Sequence, residues 1–239
     1  MEEPLYLLET ILYDPNEGFY LLDLHLARLT RSAKDFQYPE PNGTCIKDLL
    51  LAQVPLENPQ RVRLLYDIHG NTTIEYTTLP IESINSINTL DDQTTLKLNT
   101  QSPLKIVLDT QATLTVGQLT IQHKTTHRRV YTAARERTHA GTSDVFDVVL
   151  WNTNNQITET SIANIAIGKR SQQGNYIWKT PSLDCGLLPG VFRRYLLDQG
   201  KMVESKITTD DLIKAQQDGD TIICFNSVRK IYKVYLDVA

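Results

Sequence analysis

The chain has only three cysteines in 239 residues, Cys45, Cys185 and Cys224, far apart and without a CxxC pair. An odd, scattered set of this kind supports neither a disulfide framework nor a cysteine zinc site, so inert thiols are expected. Long apolar runs are also missing. No stretch approaches the roughly 20 residues that a helix needs to cross a bilayer. The opening Met-Glu-Glu-Pro-Leu-Tyr carries no positive n-region, so a cytoplasmic location with no membrane role is expected. Basic charge is not in excess either: 24 Lys and Arg stand against 28 Asp and Glu, a net charge of −4. Without a global basic field, a nucleic-acid partner is not expected. There is no Gly-x-Ser-x-Gly elbow, no phosphate loop and no internal repeat.

With 41% hydrophobic and 22% charged residues, the chain can bury one large core or two modest ones. Residues 5–13 and 18–22 read as strands joined by the turn formers Asp14-Pro15-Asn16-Glu17. Asp23 is the expected N-cap of a half-buried helix through Leu26, Leu29 and Ala33. A second helix is predicted at 45–53 and a hairpin at 61–68 and 72–79, turning at His69-Gly70-Asn71. The polar 81–103 segment reads as an insertion on a sheet edge, with β-like pieces at 95–98 and 104–108 flanking Ser102-Pro103. An N-terminal α+β lobe at 1–110, a linker at 111–118 and a C-terminal lobe at 119–239 are therefore expected.

In the second half, 128–140 reads as a helix and 145–151 as a buried strand. Asn154-Asn155 turns the chain toward a strand ending at Glu159. Further strands are expected at 165–169 and 176–179. A helix opening at Pro189-Gly190-Val191-Phe192 and stopping at Gly200 has an N-terminus suited to an anion. A short helix at 210–217 and strands at 221–225 and 231–236 complete the chain.

Lys124 sits in the polar run Gln-His-Lys-Thr-Thr-His-Arg-Arg at 122–129. An amine that attacks an aldehyde must first lose a proton, and the nearby cations Arg128 and Arg129 would favour that loss. On these residues alone, a solvated lysine at a basic helix start is the simpler reading. His123 and His127 have the spacing of a helical metal pair, but no third ligand follows, and no metal is expected.

In order along the chain stand Leu-Leu-Glu-Thr at 7–10, Gly-Phe-Tyr-Leu-Leu-Asp-Leu-His-Leu-Ala-Arg-Leu at 18–29 and His-Lys-Thr-Thr-His-Arg at 123–128. Thr-Glu-Thr-Ser-Ile-Ala-Asn at 158–164, Thr-Pro at 180–181, Gly-Leu-Leu-Pro-Gly-Val at 186–191 and Phe-Asn-Ser-Val-Arg at 225–229 follow. In this order and spacing the chain resembles the fold-type IV pyridoxal-phosphate enzymes, the class IV aminotransferase family, and within it the 4-amino-4-deoxychorismate lyases. The resemblance implies an α+β, two-lobed fold like that of D-amino acid aminotransferase, with a smaller N-terminal α/β lobe and a larger β-rich C-terminal lobe. It also implies pyridoxal 5'-phosphate as cofactor and a homodimer acting on a small molecule.

By the same resemblance, Lys124 is the Schiff-base lysine and proton shuttle, and Glu159 faces the pyridine nitrogen. Arg28 matches the phosphate-binding arginine. Gly190, Val191 and Phe192 match the helix start that completes the phosphate site, and Ser227 matches a nearby hydroxyl. Arg128 and Arg229 are the candidates for binding a dicarboxylate substrate. The activity implied is elimination of pyruvate to give 4-aminobenzoate, a folate precursor. A class IV aminotransferase for D- or branched-chain amino acids and a non-catalytic binding protein on the same fold are the alternatives. The sequence departs from the lyase pattern at His127, where many have asparagine, at Lys230, where glycine is frequent, in the 81–103 segment, and in starting at the Leu-Leu-Glu-Thr strand.

Overall fold

A computed structural model describes residues 4–81, 87–115, 117–142, 144–171 and 175–238. The chain divides into two compact units. The first comprises Met1–Ile84, His123–His127 and Ser227–Arg229, and the second the remainder. The 111–118 segment expected as a linker therefore falls inside the second unit. The physical reason lies in strand pairing: residues 104–108, just before it, are hydrogen-bonded into the second unit's sheet.

In the first unit, strand β1 (Leu7–Asp14) pairs antiparallel with the short β2 (Gly18–Phe19) across the expected turn. Helix α1 (Leu22–Asp35) follows. Its N-cap is Leu21, in the left-handed region at φ 54°, and not Asp23, which lies in the first turn and binds Lys47 at 2.9 Å. Helix α2 (Gly43–Gln53) is capped by the Asn42 side chain, which accepts from the Cys45 amide. The predicted hairpin is β3 (Gln60–Tyr66) and β4 (Thr72–Thr78), and the Asp67 carboxylate binds the amides of His69 and Asn71 in its turn. The sheet order is β2-β1-β3-β4.

Side chains alternate across a strand, so Leu7, Ile11 and Tyr13 of β1 and Val62, Leu64 and Tyr66 of β3 share one face. There they pack with Leu29 and Ala33 of α1 and Ile46 and Leu50 of α2. Truncating a fully buried member such as Leu64 to alanine should cost about 2–5 kcal/mol.

The second unit starts with helix α3 (Asp92–Thr100), where a β-like piece was expected at 95–98. The Asp91 carboxylate caps it by accepting from the Thr94 amide, a start signal that outweighs the threonines' β preference. Strand β5 (Leu104–Leu108) is central and not marginal, lying between partners on both sides. After the short α4 (Leu119–Gln122) and α5 (Arg129–Thr138) come strands β6 (Asp147–Trp151), β7 (Ile157–Thr160), β8 (Asn164–Arg170) and β9 (Tyr176–Pro181). Helix α6 (Val191–Asp198), strand β10 (Val203–Ser205), helix α7 (Thr209–Asp218) and strands β11 (Thr221–Asn226) and β12 (Lys230–Leu236) complete it. The eight strands form one mixed sheet, β10-β9-β8-β11-β12-β5-β6-β7. One face of that sheet buries Ile106, Val149, Ile165, Ile222 and Val234 against Leu212 of α7. Tyr131 and Ala134 of α5 pack with Val148 and Leu150 on β6.

Candidate active site

In the first unit, Lys124 is neither solvated nor at a helix start. Its segment is extended and pairs with the beginning of β1: the Leu8 amide donates to Lys124 O at 2.9 Å, the Thr126 amide donates to Tyr6 O at 3.0 Å, and Leu7 bridges Thr125 antiparallel. The lysine is half-buried.

Glu9 shares the core-facing side of β1 with Leu7 and Ile11 and is 2% exposed. An unpaired carboxylate there would be expensive, and α1 supplies its partners one turn apart. Arg28 Nε and Nη2 donate to the two Glu9 oxygens at 2.8 and 2.5 Å, and His25 Nδ1 bonds Glu9 Oε2 at 2.6 Å. Burial alone would raise the Glu9 carboxyl, but the Arg28 charge and the bonds from His25 and Arg28 outweigh it and hold it at about 2. Burial pushes His25 down, with the charges of Arg28 and Lys124 acting in the same direction. With Nδ1 bonded to Glu9, the buried Nε2 of His25 has no protein hydrogen-bond partner among the described residues.

The polar stripe of α1 continues. His123 Nδ1 meets Ser32 Oγ at 2.9 Å and Nε2 meets Asp35 at 3.2 Å, so this histidine orders the segment that carries Lys124. It does not form half of a helical pair with His127, because 123–127 is not helical. Ser227 donates its hydroxyl to Thr10 O at 3.1 Å, and Arg229 is exposed.

In the second unit, Glu159 lies on the fully buried β7 and is 4% exposed. Its Oε1 accepts from Tyr131 Oη at 2.7 Å and from the Leu188 amide at 3.0 Å, and its Oε2 accepts from Asn164 Nδ2 at 3.3 Å. Asn164 Nδ2 also donates to Leu188 O at 3.0 Å, tying the carboxylate to the loop that enters α6. Gly190 is the N-cap of α6, and no side chain caps the helix. A Cβ there would come within 2.0 Å of Asn164 Oδ1, which accounts for the glycine. The amides of Val191 and Phe192 lie in the first turn, where helical N–H groups lack intrahelical acceptors and attract anions. Arg128 Nη2 donates to Ser161 O at 2.5 Å, and its guanidinium stands 4.8 Å from the Tyr131 ring centre. Beneath it, Ser161 Oγ donates to Asp147 at 2.5 Å and accepts from Arg135 at 2.9 Å.

A buried, hydrogen-bonded carboxylate tied to an uncapped helix start is a donor and acceptor set that fits a phosphate ester bearing a protonatable aromatic nitrogen. Residues 6–235 match the family described as Amino-transferase class IV. The chain belongs to this family. It is 32% identical over 231 residues to a Schizosaccharomyces pombe protein named "Putative aminodeoxychorismate lyase", covering 95% of this chain and 87% of that protein. Its fold is similar to that of a Mesorhizobium loti "Putative amino-acid aminotransferase", with a TM-score of 0.78, 26% identity, and 98% and 100% of the two chains covered. A Legionella pneumophila "Putative 4-amino-4-deoxychorismate lyase" has a TM-score of 0.71 at 20% identity, with 97% and 83% covered. As a class IV aminotransferase family member, the chain is a pyridoxal-phosphate-dependent enzyme, a lyase or a transaminase, with the α+β two-lobed architecture of fold type IV.

Glu9, His25, Tyr131 and Asn164 carried no assigned role in the sequence. The signal for Glu9 was there: an acid in register with Leu7 and Ile11 on a buried strand face requires buried partners.

Proposed function

We propose that the enzyme eliminates pyruvate from 4-amino-4-deoxychorismate to give 4-aminobenzoate, a precursor of folate. The observation that carries this reading is the buried Glu159 carboxylate, which accepts from Tyr131, Asn164 and the Leu188 amide, joined to the likeness to the aminodeoxychorismate lyase-named relative. When bound, pyridoxal phosphate supplies an electron sink for the carbanion left when the substrate loses its proton.

The residues of the chain take distinct parts. Lys124 Nζ would hold the cofactor through its aldehyde carbon and, once displaced from it by the substrate amine, would be the base that accepts the proton from the substrate carbon. Glu159, kept ionised by its donors, holds a proton on the pyridine nitrogen. Arg28 and the Val191 and Phe192 amides at the Gly190 helix start bind the phosphate, with Ser227 fixing the turn beside Arg229 through Thr10. Arg128 and Arg229 bind the substrate carboxylates. Loss of pyruvate aromatises the ring, and this drives the reaction forward.

A second reading, a transaminase for D- or branched-chain amino acids, is favoured by the likeness to the amino-acid aminotransferase-named structure. The two readings differ in their need for an acceptor. A lyase forms 4-aminobenzoate and pyruvate in stoichiometric amounts with no α-keto acid present, whereas a transaminase consumes one. Borohydride reduction followed by peptide mapping should place the pyridoxyl group on Lys124; a label on another lysine overturns that role. We further propose a cytoplasmic homodimer. Sedimentation at micromolar concentration tests the assembly, and a fully active monomer would refute it.

A further inference from the structure

Tyr131 lies on the buried face of α5, among Ala134, Val148 and Leu150. A phenylalanine would fill that space without burying a hydroxyl, and a buried hydroxyl is unfavourable unless it is hydrogen-bonded. Among the described residues the hydroxyl donates to Glu159 Oε1 at 2.7 Å. Its phenol is held protonated: burial, then the Glu159 charge and the bond to it, push the group well above its ordinary value, while Arg128 opposes them. It therefore acts as a donor throughout the working pH range.

The other donors to Glu159 have different origins. The Leu188 amide belongs to the loop entering α6, and Asn164 is tied to that same loop. Tyr131 reaches the carboxylate from α5, the helix that Arg128 opens as N-cap. An O–H bonded to a carboxylate is a short, charge-assisted donor, the kind that most favours the ionised form.

We infer that Tyr131 is a positioning residue for the reaction, whose hydroxyl fixes Glu159 in the ionised form and in the orientation needed to hold a proton on the cofactor's pyridine nitrogen. This rests on the reading of Glu159 given above. Loss of the hydroxyl shifts that proton from nitrogen toward the carboxylate. The electron sink weakens, while substrate binding, which involves other groups, is spared.

The test compares the wild type, Tyr131→Phe and Glu159→Gln as holoenzymes loaded with pyridoxal phosphate labelled with 15N in the ring. In the wild type the ring nitrogen should resonate as pyridinium, and in Glu159→Gln as neutral pyridine. In Tyr131→Phe it should move part of the way toward neutral, with kcat lower by about tenfold, the equivalent of one pH unit, and KM unchanged. A 13C label on the glutamate carboxyls reads the bond without cofactor: in the apoenzyme the Glu159 resonance, assigned by its absence from Glu159→Gln, should shift in Tyr131→Phe. If Glu159→Gln moves the nitrogen signal and Tyr131→Phe does not, the role of Tyr131 is overturned and that of Glu159 stands. If Glu159→Gln leaves the nitrogen signal unchanged, the reading of Glu159 fails and this inference with it, even where the apoenzyme resonance shows the hydrogen bond.

Discussion

Arg28 meets Glu9 through two of its guanidinium nitrogens, at 2.8 and 2.5 Å, in an ion pair with both side chains buried. The fork is thereby fixed on β1 before any ligand arrives. Glu9→Gln removes the counter-charge, leaves the Arg28 cation buried and weakens the acceptor of His25. Breaking one side of a buried pair costs roughly 3–5 kcal/mol, and urea unfolding of the apoprotein should show a loss of that size. Arg28→Ala should lose comparable stability as well as cofactor affinity. Excess pyridoxal phosphate should then restore its activity only at temperatures where the variant stays folded, and should restore no activity to Lys124→Ala.

The same pair sets a pH dependence. The Glu9 carboxyl is held at about 2 in the folded chain against an ordinary 4.5, and His25 lies below its ordinary 6.5. In both cases the unfolded chain takes up protons that the folded chain does not, so stability rises with pH. The contribution of His25 is complete above 6.5 and is lost as pH falls below it; that of Glu9 is complete above 4.5 and is lost from there toward 2. His123, also lowered by burial with Arg31 and Arg28 assisting and Asp35 opposing, adds to the upper step. Calorimetry of the apoprotein should show Tm falling from about pH 6.5 downward. His25→Gln should reduce that first step without abolishing it; an unchanged first step would contradict the assignment.

Gly190→Ala should disturb two functions at once. The new Cβ would press on Asn164 Oδ1, and Asn164 holds both Leu188 and Glu159. Overpacking of this kind costs about 1–3 kcal/mol. Fluorescence titration should show the affinity for pyridoxal phosphate falling by roughly tenfold or more, and the absorbance of the bound cofactor should change as Glu159 is displaced. Unaltered affinity would separate the helix start from the cofactor.

Much of this was legible in the sequence because it depends on local signals. The strand alternation at 7–13, the Asn154-Asn155 turn and the glycine-led start of α6 all stand where their patterns predict. The Asp23 cap failed because Leu21 takes the left-handed entry itself, and the 95–98 strand failed because the Asp91 cap decided the segment. The fate of the Lys124 segment was not readable from its neighbours. Its conformation is set by hydrogen bonds to Tyr6 and Leu8, more than 100 residues away in sequence. Glu9 and Tyr131 were missed for a related reason: each acquires its meaning only from a partner on another element.

Arg128 provides the last test. It was expected in the substrate mouth, yet one arm of its guanidinium is committed to Ser161 O and its plane lies near the Tyr131 ring. A lysine would keep the charge but neither the fork nor the stacking surface. If Arg128 binds a substrate carboxylate, Arg128→Lys should raise KM by about 10- to 100-fold, the effect of losing one charge-assisted contact, with kcat nearly unchanged. If it serves only to brace Ser161 and Tyr131, the variant should instead melt earlier and lower kcat at constant KM, because the disturbance would pass through Tyr131 to Glu159. Steady-state kinetics together with apoprotein melting distinguish these outcomes, and the substrate role predicts the first.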